Sequence, residues 1–185
     1  MKTKNILALG LSLLLTNLLH AGDEVLAPGF VSALVPGYLS IEKGLAADDL
    51  PAAQKGAKGF LAVMDKAPDA SKGAGRADEH LSKLAQAIAG AKDLAAAREA
   101  FQGLSVGMER LITHVGVSDD SSLYLLHCPM AFDGKGASWI QDDKSVANPY
   151  YGQKMLRCGS VQKQIAGETS EMNALGRPPV FVPAR

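Results

Sequence analysis

Apolar residues recur at steps of three and four over most of the chain, which is the spacing of one helix face. The first such series is Phe30, Leu34, Tyr38, Ile41 and Leu45. Three more series follow it, over residues 50–64, 81–91 and 94–115. Four helices with mostly short connections predict a mainly α protein built as an up-and-down four-helix bundle.

Polar and helix-breaking residues indicate where these helices begin and end. Asp48 and Asp49 can cap a second helix near Pro51, and Asp93 can cap the fourth. Gly116 is a natural stop for the fourth helix. Pro36 lies inside the first apolar series, so that helix is either kinked there or begins there.

The pattern changes after residue 122, where helical spacing gives way to an extended run over 123–132. Asp133-Gly134 is a strong turn signal, and Ala137 to Gln141 can return antiparallel. We therefore predict a short hairpin laid against the bundle. Pro129 limits strand pairing and favours an edge or a bulge.

The two ends of the chain are unlike its middle. Residues 1–21 begin with Lys2 and Lys4, continue as an apolar run and end in a small residue, the layout of a signal peptide. Residues 22–161 are expected to form the helical domain, including the motif segment 123–159. The proline-rich end predicts an extended tail over 162–185.

Composition and charge remove several classes of function. The chain has 19 basic and 19 acidic residues, and loss of Lys2 and Lys4 would leave 17 and 19, a formal charge of −2. Such a balance predicts neither nucleic-acid binding nor attachment to an acidic membrane after signal cleavage. The sequence has no C-x-x-C-H or C-x-x-C motif and no glycine-rich phosphate loop. The missing motifs lead us to expect that the protein is not an enzyme, and the signal peptide leads us to expect a periplasmic location.

Chemistry is concentrated in the segment 123–159, which holds both cysteines, Cys128 and Cys158. In an extended strand Cys128 and Met130 would share a face, and His127 would point the other way. In a helical turn Met155 would lie beside Cys158. Two thiolates and two thioethers select a soft ion such as Cu(I) or Ag(I). His127 is an optional fifth ligand, ranked below the sulfur ligands.

Simpler interpretations compete with a metal site. In an oxidising compartment, Cys128 and Cys158 are also candidates for a structural disulfide, which the sequence alone neither places nor excludes. Closing a loop of about thirty residues would stabilise the fold by roughly 3 kcal/mol. Met130 and Met155 are each open to interpretation as packing residues. Trp139 and the tyrosines 150 and 151 are most simply explained as hairpin and turn packing.

Several motifs in the chain resemble one family. They are H-C-P-M-A (127–131), G-K-G-A-S-W-I-Q (134–141), N-P-Y-Y-G-Q-K-M-L-R-C-G (148–159) and, upstream, A-R-E-A-F-Q-G-L-S (97–105). The sequence resembles an exported bacterial domain family of unknown function, found alone or fused to Cus-type copper/silver-efflux membrane-fusion adaptors. The resemblance covers roughly residues 31–161.

The resemblance implies a helical cell-envelope domain associated with heavy-metal handling. Carried over by position, its motif residues are Cys128, Met130, Met155 and Cys158, with His127 in a more variable slot. We expect no adaptor domain beside the helical domain of this chain. The expectation is a free-standing periplasmic protein that buffers Cu(I) or Ag(I) or passes it to an efflux adaptor or another metal-handling protein. The alternative is a disulfide-stapled interaction module without metal.

Overall fold

The computed structural model describes residues 27–67 and 77–167, which form a mostly helical fold with a small β-sheet. Four long helices come first: α1 (Pro28–Ala46), α2 (Leu50–Met64), α3 (Ala77–Ala89) and α4 (Leu94–His114). The C-terminal part contains β1 (Leu123–Cys128), a helical turn α5 (Ala131–Gly134), β2 (Ala137–Gln141), a 3-10 turn (Gly152–Lys154) and β3 (Ser160–Ala166). The prediction of a mainly helical chain with a C-terminal β-segment is confirmed.

Parts of the sequence-based prediction fall beyond these ranges. The signal peptide expected at 1–21 and residues 168–185 of the expected tail lie outside the described residues. Within 27–67 and 77–167, no helix combines the length and apolar character that crossing a membrane requires.

The predicted helix ends agree closely with the structure. The Asp49 and Asp93 side chains accept hydrogen bonds from the third residue beyond each, Ala52 N at 2.9 Å and Ala96 N at 2.8 Å. Helix α1 begins at Pro28 and continues through Pro36, so Pro36 is not its start. Gly116, just past α4, has a φ of 89°, a conformation that glycine adopts without strain.

The sheet is antiparallel, with strand order β2-β1-β3. The predicted hairpin is present, because β1 and β2 pair from Tyr124↔Gln141 to Cys128↔Ala137. Of the two predicted effects of Pro129, the edge position is wrong, because β1 is the central strand. Pro129 follows the last residue of β1, and the register of β1 with β3 shifts between Leu123 and Tyr124 and between Leu125 and Leu126. Strand β3 was not predicted, and its residues 162–166 belong to the segment expected as an extended tail.

Helices α1 and α2 approach each other backbone to backbone, and three glycines make this approach possible. A Cβ at Gly44 would lie 2.5 Å from Ala53 N, and one at Gly56 would lie 2.7 Å from Ile41 N. At Gly37 it would lie 2.9 Å from the Cα of Phe60. Contacts of that length with backbone atoms leave no room for a side chain, so the close packing of α1 on α2 requires glycine at these three positions.

Tyr38 joins the helices to the sheet. Its ring is 1% exposed and stacks on Phe101 of α4 at a centroid distance of 5.2 Å. Its hydroxyl accepts a hydrogen bond from Ile140 N at 3.0 Å and shares another with Ser105 Oγ at 2.8 Å. Because β2 is an edge strand, the N–H of Ile140 has no strand partner, and Tyr38 supplies one.

Glu42 is a buried carboxyl one turn beyond Tyr38. It is 1% exposed, and its Oε1 has no hydrogen-bond partner among the described residues. Removal from water raises the pKa of Glu42 to about 8, while Lys43 lowers it and Asp142 raises it. The folded protein therefore holds a protonated, neutral Glu42 at neutral pH.

Substituting alanine at two glycines of α2 tests the helix contact. We expect Gly56→Ala to destabilise the protein by roughly 2 kcal/mol, because its Cβ would meet the backbone of α1. Gly59→Ala is the matched control: it meets nothing within 4 Å, so alanine's helix propensity should stabilise by up to about 1 kcal/mol. Urea unfolding measures both. Equal effects of the two substitutions would contradict the close approach of α1 and α2.

Glu42→Gln tests the buried carboxyl. The pKa of Glu42 is raised from 4.5 to about 8 on folding, so between these values the folded state binds one more proton than the unfolded state. Stability from this group therefore falls as pH rises, by about 1.4 kcal/mol per unit. We expect Glu42→Gln to gain stability relative to the parent between pH 5 and pH 8. Unfolding at several pH values measures this, and a pH-independent difference would show that Glu42 is ionised when folded.

Candidate functional site

The central strand ends at the candidate site and presents two adjacent residues on opposite faces. Cys128 is 0% exposed and belongs to the hydrophobic core. His127 is half-buried, and its Nδ1 lies 3.1 Å from Ser138 Oγ on β2. Its ring lies over Gly136, where a Cβ would come within 2.8 Å of Cε1. The imidazole is thus engaged with the hairpin, consistent with its low rank among the predicted ligands.

The chain turns sharply after Cys128. Met130 is the N-terminal cap residue of α5, with helical φ and ψ of −87° and −14°. Phe132 and Asp133 follow with φ of 52° and 57°, in the left-handed region. The predicted shared strand face of Cys128 and Met130 is therefore wrong, because the strand has already ended. Cys128 is buried, whereas Met130 is 53% exposed.

A second loop, residues 148–158, brings Cys158 to the end of β1, and Asn148 organises it. Asn148 is 0% exposed. Its Nδ2 donates to Cys158 O at 2.7 Å, and its Oδ1 accepts from Tyr150 N at 2.8 Å and Tyr151 N at 3.2 Å. Its backbone N donates to Leu156 O at 2.8 Å. One buried side chain therefore closes the loop on itself.

The helices hold this loop through one ion pair. Arg98 of α4 contacts Asp48 at 2.5 Å, and its Nε donates to Pro149 O at 2.8 Å. The other carboxylate oxygen of Asp48 accepts from Gln153 N at 2.9 Å. These contacts, the Gln153 hydrogen bond first and Arg98 second, lower the pKa of Asp48. The motif loop is thus fastened to α4 and to the turn between α1 and α2.

Met155 does not lie on a helical turn as predicted. The 3-10 turn ends at Lys154, and Met155 has φ −148° and ψ 52°. The chain then makes a tight turn in which Cys158 N donates to Met155 O at 3.0 Å. Met155 and Cys158 are therefore brought together by a turn, and both are half-buried.

The two cysteines come into direct contact. Their Sγ atoms are 3.0 Å apart, and both are free thiols. Hydrogen bonding to Cys128 raises the pKa of Cys158, with a smaller contribution from burial. Sequence spacing alone does not predict whether the two cysteines meet. In the structure they do, although 30 positions separate them in the sequence.

Tyr151 was missed as a site residue and lies beside the thiols. Its hydroxyl donates to Met130 O at 2.6 Å, which ties the loop of Cys158 to the loop of Met130. Burial raises the pKa of Tyr151, and Cys128 and Cys158 raise it further. The signal is the N-P-Y-Y-G motif, which local patterns alone explain as turn packing.

Tyr150 and Trp139 have the predicted packing role. Trp139 is 0% exposed and donates through Nε1 to Gln141 Oε1 at 2.8 Å. Tyr150 meets Trp139 edge-on at 5.9 Å and also contacts Phe101 and Phe132. Its hydroxyl donates to Ser138 O at 2.5 Å. These rings pack together in the hydrophobic cluster that also contains Cys128.

Cys128 and Cys158 are the predicted sulfur ligands whose sulfur atoms the structure brings into contact. Over 27–67 and 77–167, no three His, Cys, Asp or Glu side chains are grouped so that they could hold a metal ion.

Comparison with known proteins finds a match for the helical part of the chain. Residues 34–120 match the model of a family described as "Protein of unknown function (DUF3347)". These residues are similar to that domain of unknown function. The match runs from α1 to the residues before β1, so the thiol pair lies outside it, whereas Asp48 and Arg98 lie inside it. Neither the curated proteins nor the solved structures contain a match to this chain.

Asn148→Ala tests how the loop of residues 148–158 holds Cys158. The substitution removes the hydrogen bonds to Cys158 O, Tyr150 N and Tyr151 N, so we expect a loss of about 3 kcal/mol in reduced protein. Gln162→Ala is the control, since its exposed amide bonds only Ser160, and we expect a change within about 0.5 kcal/mol. Urea unfolding measures both, and an Asn148→Ala loss as small as the control's would remove Asn148 from this role.

Proposed function

We propose that this protein binds a soft monovalent metal ion, Cu(I) or Ag(I), through Cys128 and Cys158, with Met130 and Met155 as supporting ligands. It is exported to the periplasm, where it buffers the ion or passes it to an efflux adaptor or another metal-handling protein. The four helices, arranged as an up-and-down bundle, serve as the scaffold. The observation that carries the proposal is the contact between the two thiols at 3.0 Å.

The exposure of Met130 supports a ligand role over a packing role. A methionine that fills a gap in a core is buried, as Met108 is at 0% exposure. Met130 is 53% exposed, yet its backbone carbonyl is held by Tyr151 close to the thiols. Packing therefore does not account for it. An exposed thioether two residues after Cys128 is suited to receiving or releasing a soft ion.

The donor set also favours a soft ion over a hard one. Thiolate and thioether ligands select Cu(I) and similar ions, whereas Mg²⁺ and Ca²⁺ require oxygen ligands. His127 is the fifth candidate, but its Nδ1 already faces Ser138 and its ring lies over Gly136. The sulfur atoms of the two loops are the better candidates.

Binding requires a small opening of the pair. Two sulfurs bound tetrahedrally to one metal at about 2.3 Å are separated by about 3.8 Å. The thiols at 3.0 Å must therefore move apart by just under 1 Å. Cys158 lies in a surface loop and Cys128 at the end of the central strand, so the movement falls to Cys158.

The same distance supports the alternative, a disulfide-stapled interaction module without metal. A disulfide places the sulfurs about 2.05 Å apart. The thiols are thus already close to bonding distance in the folded protein. Export to an oxidising compartment would favour this form. A redox-gated version combines both: the disulfide form is metal-free, and reduction frees the thiolates for the ion.

Titration of the reduced protein with Cu(I) against a chromogenic chelator tests the proposal. We expect one ion bound per chain. The variant Cys128→Ser/Cys158→Ser should lose binding, and Met130→Leu should weaken it roughly tenfold, or about 1.4 kcal/mol. Met108→Leu is the matched control, because Met108 is buried in the core and its substitution should leave the affinity unchanged.

Two outcomes would contradict metal binding by Cys128 and Cys158. Equal binding by the parent and the double serine variant would place the ion elsewhere. Absence of binding by the reduced parent, together with full oxidation of the exported protein, would favour the disulfide-stapled module.

A further inference from the structure

We propose that the two thiols have different tasks in thiol–disulfide exchange: Cys158 attacks an external disulfide first, and Cys128 then resolves the mixed disulfide. The partner is a small disulfide or the surface disulfide of a thiol–disulfide oxidoreductase. This inference rests on the proposed function, because oxidation of the two thiols to a disulfide would prevent metal binding. The exchange chemistry itself involves no metal.

The asymmetry of the pair is the first observation. Cys128 is 0% exposed, at the end of the central strand and opposite Ala137. A reagent cannot reach its sulfur unless the surrounding structure opens. Cys158 is partly exposed in the loop that follows the 3-10 turn. Since exchange requires access to the attacking sulfur, the folded protein offers only Cys158 for the first step.

The supports of Cys158 keep it in place during the reaction. Its backbone carbonyl accepts from the buried Asn148 side chain, and its backbone N donates to Met155 O. Both contacts involve main-chain atoms, so neither depends on the state of the sulfur. A mixed disulfide at Cys158 therefore remains next to Cys128.

The proximity of the second thiol then determines the outcome. A sulfur 3.0 Å from its target is already within the range of about 3–3.5 Å that describes a near-attack arrangement. An intramolecular attack by Cys128 should therefore outpace release of the partner by a second external thiol. The mixed disulfide is expected to be short-lived in the parent protein.

The two steps balance. The Cys158 thiolate attacks one sulfur of a disulfide RS–SR, which forms the Cys158–SR bond and releases RS⁻. The Cys128 thiolate then attacks the Cys158 sulfur, which forms the Cys128–Cys158 bond and releases a second RS⁻. The protein dithiol is oxidised, and the external disulfide is reduced to two thiols, which take up the two protons that the cysteines lose.

Glutathione disulfide is the probe, used with reduced protein in the presence of a metal chelator. We expect Cys128→Ala to accumulate a stable glutathione adduct at Cys158. Cys158→Ala should react roughly a hundredfold more slowly, because Cys128 reacts only after local opening. The parent should proceed to the internal disulfide without retaining glutathione. Intact-mass spectrometry of acid-quenched samples measures all three.

Two further measurements make the result independent of how well the variants fold. Cys158→Ala in denaturant should react as fast as denatured Cys128→Ala, which shows that burial alone protects Cys128. In the parent, peptide mapping at early times should place transient glutathione on Cys158. Glutathione on Cys128, equal rates for the two folded variants, or a parent that retains glutathione on both cysteines would overturn the assignment. Because no metal is present, these outcomes are separate from success or failure of the Cu(I) titration.

Discussion

The hydroxyl of Tyr38 is the contact on which the arrangement of helices and sheet depends. A buried phenol without partners would cost several kcal/mol, so its hydrogen bonds determine which elements surround it. Here they come from Ile140 on β2 and Ser105 on α4. Burial above all raises the pKa of Tyr38 well beyond its ordinary value, so the group stays protonated and keeps one donor and one acceptor position filled. The position of β2 against α1 and α4 follows from this.

From Tyr38 the arrangement extends to the thiols through aromatic rings and one ion pair. Phe101 stacks on Tyr38 and contacts Tyr150, whose hydroxyl binds the backbone of β2. Arg98 and Asp48, which form an ion pair, also hydrogen-bond to the loop that carries Cys158. The helical part that matches the DUF3347 model and the motif loop outside that match are therefore joined by buried or charge-assisted contacts. A change in the helices would move the thiol pair.

Local patterns were enough to predict the helices and the hairpin. Periodicity predicted the four helices, and Asp49 and Asp93 indicated the starts of α2 and α4. Asp133-Gly134 predicted the turn before β2. Strand β3 was missed because its burial alternates poorly and its register with β1 is irregular, so a strand pattern is weak there. Glu42 had a readable signal, since it lies four residues after Tyr38 and thus on the same helix face. An apolar series that lists only hydrophobic residues overlooks such a carboxyl.

Sequence patterns marked Cys128 and Cys158 as candidates, but they could not predict the geometry around them, and the difference has a physical cause. Spacing rules apply within one regular element, whereas Met130 and Met155 lie just beyond the ends of theirs. The contact between Cys128 and Cys158 depends on Asn148, which folds the second loop back on itself through a buried side chain. That contact also fits both proposed uses of the pair. Cys128 is held by the sheet and Cys158 by backbone hydrogen bonds, so oxidation needs the sulfurs to close by about 1 Å and metal binding needs them to open by about as much. The resting distance lies between the two, so a small movement of the Cys158 side chain serves either change while its backbone stays held.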